Sequence, residues 1–232
     1  MTDHSALLAL PPYGLAQEAK HAFLTAELTA LTRHHAANCP EYAAMLQATG
    51  VDLAAVTAFE QLPPLPVRLF KEFTLQSVPA ESLVKTMTSS GTTGQQVSRI
   101  VLDSETSALQ SKVLGKIMES TLGSARLPML ILDSPTVVQN RAMFSARGAG
   151  ILGFSLFGRD KCYALNADMR LDIPALEAFL AKHAGQPVFL FGFTYIVWQH
   201  FVGELRRLGR TFSIPQGVLV HGGGWEKLAD QA

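Results

Sequence analysis

Three apolar segments, Pro128-Met129-Leu130-Ile131-Leu132, Val188-Phe189-Leu190-Phe191 and Val218-Leu219-Val220, alternate with stretches of helical periodicity, and this restricts the fold more than any other feature. A strand that is apolar on both sides has to be covered on both faces. Parallel sheets achieve this with crossover helices. The intervening helices are legible. Ser104 or Asp103 can cap a helix carrying Leu109, Val113, Leu114, Ile117 and Met118 that stops at Gly123. Asp172 can cap a helix with Pro174 in its first turn and Leu176, Phe179 and Leu180 inward. Ile196, Val197, Phe201, Leu205 and Leu208 make a further helix face ended by Gly209. The expectation is an α/β fold with a mainly parallel sheet flanked by helices.

The first part of the chain reads differently. Residues 15–37 have helical spacing, Cys39-Pro40 breaks the pattern, and Pro40 can open a second helix through Leu46. Pro63-Pro64-Leu65-Pro66 then forces an extended segment. Residues 1–75 are expected to form a helical N-terminal region, and 76–232 the α/β portion. With 48% apolar and 16% charged residues among 232, the chain can bury a sizeable core. A formal net charge of +0 and the lack of a basic run argue against nucleic-acid binding. Cys39 and Cys162 are the only cysteines and make no disulfide framework. The N-terminus has no basic flank leading into an apolar run, and no apolar run is long enough to cross a bilayer. A reducing cytoplasm is the expected setting.

The chemistry centres on Thr88-Ser89-Ser90-Gly91-Thr92-Thr93-Gly94-Gln95. Glycines permit positive φ and close backbone approach, and hydroxyls add rotatable donors. Such a loop can wrap phosphate oxygens. It is not a Walker A motif, because Gln95-Gln96 stands where a lysine is needed, and it is not a dinucleotide fingerprint. The structural alternative is a flexible polar turn in a hairpin. Leu83-Val84-Lys85-Thr86-Met87 before it and Val97-Ser98-Arg99-Ile100-Val101-Leu102 after it both read as strands, which would fix the loop better than a linker.

Thr88 to Gly94 resembles the phosphate-binding signature of the adenylate-forming superfamily of acyl and aryl ligases. The neighbourhood is similar to the LuxE-type acyl-protein synthetases. The carriers are Leu65-Pro66-Val67-Arg68-Leu69-Phe70-Lys71, Ser77-Val78-Pro79, Phe191-Gly192-Phe193-Thr194-Tyr195 and Val220-His221-Gly222-Gly223-Gly224-Trp225. The resemblance runs from about residue 40 to the end. It implies ATP-dependent activation of a carboxylic acid, such as a fatty acid, as acyl-adenylate, followed by transfer to a thiol. ATP and Mg²⁺ are the implied cofactors, and an acyl-reductase or other acyl-acceptor protein the implied partner. Ser89, Ser90, Thr92 and Thr93 would grip phosphate oxygens, and Gly91 and Gly94 would shape the loop. The resemblance places Gly222, Gly223 and Gly224 at the adenine and ribose pocket, and Phe193 and Tyr195 beside the acyl or carboxylate pocket. His221, next to the glycines, can donate to a carboxylate or phosphate there, and its alternative is a structural histidine.

Each assignment has a structural alternative. Ligands in parallel sheets sit beyond the carboxyl ends of strands, where both segments fall. The glycine run is otherwise a strand-to-helix turn, and Phe193 and Tyr195 are otherwise core packing. His221-Gly222-Gly223-Gly224-Trp225 also matches an esterase oxyanion motif, but in α/β-hydrolases the nucleophile, acid and histidine come after that motif. Here the nearest serine elbow, Gly153-Phe154-Ser155-Leu156-Phe157-Gly158, lies upstream and is too long. Lys161 can lower the thiol pKa of Cys162, whose alternative is a small buried residue. Asp133-Ser134-Pro135 reads as a turn.

The superfamily's metal-holding glutamate, its ribose-gripping aspartate and its C-terminal lid have no counterpart after Trp225. The expectation is therefore the N-terminal part of a LuxE-type protein, incomplete at the C-terminus, with no catalytic residue assigned. A non-catalytic nucleotide-binding or interaction module is the alternative.

Overall fold

A computed structural model describes residues 5–88, 97–138 and 146–225. It divides into two compact units, Met1–Ile117 and Met118–Ala232. The first contains α1 (Ser5–Ala9), α2 (Gln17–Asn38), α3 (Pro40–Thr49), α4 (Leu69–Glu72) and an antiparallel hairpin of β1 (Leu83–Thr88) and β2 (Arg99–Asp103). Cys39 separates α2 from α3 with an extended backbone (φ −133°), as Pro40 requires of the residue before it. The second helix runs past the expected Leu46 to Thr49, where Gly50 closes it at φ 68°. Side chains of α2 tie down the segments after α3. The His21 imidazole lies 3.0 Å from Glu60, and the Arg33 guanidinium donates to the Leu53 carbonyl at 2.7 Å.

The division between the units falls inside α5 (Ser104–Leu122). Asp103 caps this helix by accepting the Thr106 N–H at 2.7 Å, and Gly123 ends it at φ 77°. The second unit continues with β3 (Leu127–Ile131), α6 (Ala146–Phe154), β4 (Gly158–Tyr163), α7 (Ile173–Lys182) and β5 (Val188–Phe193). It ends with α8 (Thr194–Ile196), a π-helical stretch (Val197–Gly203), α9 (Glu204–Arg207) and β6 (Gly217–Gly222). The four strands form a parallel sheet in the order β4-β3-β5-β6. On one face Leu130, Leu190, Leu176, Phe179 and Phe201 form the buried core. On the other face Phe154 of α6 stacks on Phe191 at 4.3 Å. The expected α/β architecture is thus the one observed.

Two elements of the second unit are not legible in the sequence. Strand β4 lies at the sheet edge and leaves Arg159, Asp160 and Lys161 exposed, so its sequence reads as a polar loop. Helix α6 holds Gly148, Gly150 and Gly153, which weakens any helix reading. Gly150 has a packing reason, because a Cβ there would sit 3.1 Å from the Phe193 ring. Two details of the last helix also differ from expectation. Leu208 is not inward but 43% exposed, and the middle of the helix is widened to a π-turn. The wide turn brings the Trp198 carbonyl to within 3.1 Å of where a Cβ of residue 203 would be, which glycine accommodates.

Candidate functional site

The carboxyl ends of β3, β5 and β6 bring polar side chains together at one edge of the sheet. The β3 segment continues past Ile131, with the Leu132 N–H donating to the Phe191 carbonyl at 2.8 Å and the Leu165 N–H to the Asp133 carbonyl at 3.2 Å. Asp133 is thereby fixed at the strand end with its side chain fully buried. Its Oδ1 accepts the Ser134 N–H at 2.7 Å, and its Oδ2 lies 3.0 Å from Nε of Arg147 at the start of α6. Those two atoms pair by charge but are not aligned as a hydrogen bond. Arg147 Nη1 also donates to the Tyr195 hydroxyl at 3.1 Å. Burial pushes the Asp133 carboxyl above its usual range, against the opposing pull of the Ser134 N–H, Arg147 and His200.

A second group joins β5 to β6. Thr194, only 3% exposed, places its hydroxyl 3.0 Å from the Gly222 carbonyl, 2.8 Å from the Gly223 carbonyl and 3.0 Å from Nδ1 of His221. The hydroxyl has one proton, and the carbonyls can only accept. The proton therefore goes to a carbonyl, and His221 Nδ1 reaches the oxygen as an N–H donor. That leaves Nε2 of the neutral imidazole, on an exposed residue, as the acceptor. Gly223 adopts φ 89°, where glycine is needed for the backbone itself. Gly222 is different. A Cβ added there meets no atom within 4 Å among the described residues, so packing among them does not demand glycine at that position.

Phe193 stands between the two groups. Its ring lies 3.1 Å from the Cβ position of Gly150 on α6 and 3.5 Å from that of Gly223. It is half-buried at the sheet edge, whereas Phe189 and Phe191 are core. Of the expected site residues, the structure thus brings Phe193, Tyr195, His221, Gly222 and Gly223 to one edge. Gly224 comes next as an exposed residue. Thr88 ends β1 and is exposed, while Ser89, Ser90, Gly91, Thr92, Thr93 and Gly94 lie outside the described residues. Asp133-Ser134-Pro135 forms the expected turn, leading into a 3₁₀ stretch (Pro135–Val138), and Arg147 and Thr194 join Asp133 as candidate site residues that the sequence does not single out. The available signal was an acidic residue directly after an apolar strand, where function concentrates in parallel sheets.

Cys162 is not activated. Burial and the negative charge of Asp172 push its thiol up, opposing the influence expected of Lys161. Ser155 opens a 3₁₀ turn (Ser155–Phe157) that precedes β4, the reverse of a strand-to-helix nucleophile elbow. Among the described residues, no group of three or more His, Cys, Asp or Glu side chains could hold a metal ion. No helix among them is long and apolar enough to cross a membrane.

The second unit is therefore a parallel α/β unit with convergent polar groups and glycine turns beyond its strand ends, the architecture of small-ligand sites in this fold class. The family model described as "Acyl-protein synthetase, LuxE" matches residues 3–232, and the chain belongs to that family. The match extends the resemblance read from sequence through the helical N-terminal region. No curated protein matches the chain significantly.

Proposed function

We propose that the chain activates a carboxylic acid, of the fatty-acid class, with ATP and passes the acyl group to a thiol. A carboxylate oxygen attacks the α-phosphorus, the bond to the bridging oxygen breaks, and pyrophosphate leaves. A thiolate then attacks the acyl carbon and AMP leaves. The observation that carries this reading is the Gly222–Gly223 turn at the end of β6. It is held by Thr194, presents the acceptor Nε2 of His221, and carries a glycine at 222 that packing among the described residues does not explain. An adenine or ribose can lie against such backbone and donate an amino or hydroxyl hydrogen to the imidazole.

The phosphate role falls on the hydroxyl loop, where donors placed against the developing charge supply most of the stabilisation in phosphoryl chemistry. At the described edge the one buried carboxylate, Asp133, is already paired with Arg147 and offers no open ligand. Mg²⁺ would arrive with the triphosphate and neutralise it there. The acyl acceptor is an acyl-reductase or similar protein, and the setting is cytoplasmic. Calorimetry with ATP and Mg²⁺ tests the reading beside Ser90→Ala/Thr92→Ala. The expected result is binding that the double variant loses. Equal binding by both proteins removes the phosphate role from the loop, and absence of binding by the unaltered chain refutes the nucleotide reading.

A further inference from the structure

We infer that Arg147 receives the carboxylate head of the acid substrate, with Asp133 and Tyr195 as its positioning residues. The inference rests on the reading of the chain as an acid-activating enzyme. Asp133 is fully buried while the Arg147 side chain is 26% exposed, so a group entering at the sheet edge meets the guanidinium and not the carboxylate behind it. Nε faces Asp133 and Nη1 donates to Tyr195, which fixes the plane of the fork. Nη2 has no hydrogen-bond partner among the described residues. A buried carboxylate that holds an arginine without forming an aligned hydrogen bond is a costly arrangement for stability alone. It is explained when the fork is pulled toward a second anion.

The charge count selects the anion. Arg147 and Asp133 together are close to neutral, so a multiply charged phosphate gains little there. A planar, singly charged carboxylate matches the donors of a guanidinium. The surroundings select the group that the carboxylate terminates. One turn along α6 from Arg147, Gly150 lies against the rings of Phe193 and Phe191, and Phe154 stacks on Phe191. A carboxylate at Arg147 has an aromatic wall beside it for an apolar chain.

The test is calorimetric binding of decanoate and of decan-1-ol, without nucleotide, to the unaltered chain, Arg147→Gln, Arg147→Lys and Phe193→Ala. The unaltered chain should prefer decanoate by about tenfold or more, as a charge-assisted hydrogen bond requires. Arg147→Gln should bind both within about twofold. Arg147→Lys keeps the charge beside Asp133 and folds where Gln does not, and it should fall between them. Phe193→Ala should weaken both ligands alike and keep the preference. A preference for decanoate that survives in both Arg147 variants overturns the inference, as does no preference or no decanoate binding by the unaltered chain. ATP titrated against the same proteins separates the two readings. Retained ATP binding with no preference for decanoate sinks this inference alone. A decanoate preference that depends on Arg147, without ATP binding, sinks the nucleotide reading alone. Loss of ATP affinity in place of decanoate affinity on Arg147→Gln reassigns the residue to the nucleotide.

Discussion

Replacing Thr194 by valine keeps the side-chain shape and removes the hydroxyl that joins the end of β5 to the turn after β6. The hydroxyl donates one proton at a time, so one net hydrogen bond to a carbonyl is lost along with the acceptor for His221 Nδ1. The carbonyl of Gly223 and the imidazole belong to exposed residues, where water can replace the hydroxyl, and only Gly222 is half-buried. The cost therefore sits at the lower end of the range for broken hydrogen bonds, about 1.5 kcal/mol. For a chain of this size that is a melting shift of about 3–6 °C. Thermal melts monitored by circular dichroism read the shift, and Thr194→Ser should recover most of it. Imidazole ¹⁵N spectra at neutral pH read the second consequence. His221 should carry its proton on Nδ1 in the unaltered chain and lose that preference in Thr194→Val. An Nε2–H tautomer in the unaltered chain, or a Thr194→Val protein with an unchanged melting point, refutes the reasoning.

Gly192→Ala should destabilise the second unit by about 1–3 kcal/mol, since its Cβ would lie 2.7 Å from a Val197 methyl and 2.9 Å from Leu132 Cβ; urea denaturation measures this. Asp172→Ala removes an acceptor for the Ala175 N–H at 3.1 Å and should cost about 1 kcal/mol by the same measurement. Cys162 should alkylate more slowly than a free cysteine thiol at pH 8, with its rate rising only at pH values above the ordinary thiol range. Arg147→Gln should show a pH-dependent loss of stability. The folded-state pKa of Asp133 is raised, so its contribution favours folding at pH below the unfolded value and is lost as pH rises through the folded one. Removing Arg147 raises that pKa further, so the penalty should be small near pH 4 and reach about 3 kcal/mol near pH 8. An equal penalty at both pH values would contradict this assignment.

The parallel sheet was legible because β3 and β5 are buried on both faces, and such strands cannot be written with polar residues. The caps at Asp103 and Asp172 were legible for a local reason, since each side chain bonds an N–H three residues on. Strand β4 was not, because an edge strand needs few apolar residues to hold its place, and its position is set by pairing with β3. Helix α6 was hidden by its glycines, of which Gly150 answers to Phe193, more than forty residues away in the chain.

The site divides along the same line. The glycine turn and Phe193-Thr194-Tyr195 are contiguous motifs and could be read directly. The pair of Asp133 and Arg147 spans two elements, and neither residue has meaning without the other. An isolated aspartate after a strand reads as a turn, and an isolated arginine among glycines reads as a solvated charge. Only the buried contact between them separates a site from a surface. That contact also ties the two halves of the edge together, because the arginine that faces Asp133 at the end of β3 donates to Tyr195, directly after Thr194, which holds the β6 turn. A group bound at Arg147 and a base lying against Gly222 would therefore touch elements joined through two adjacent residues of one chain segment. On the proposed reading an acid and a nucleotide have to meet for an acyl-adenylate to form, and Phe193-Thr194-Tyr195 would be the segment that spaces them.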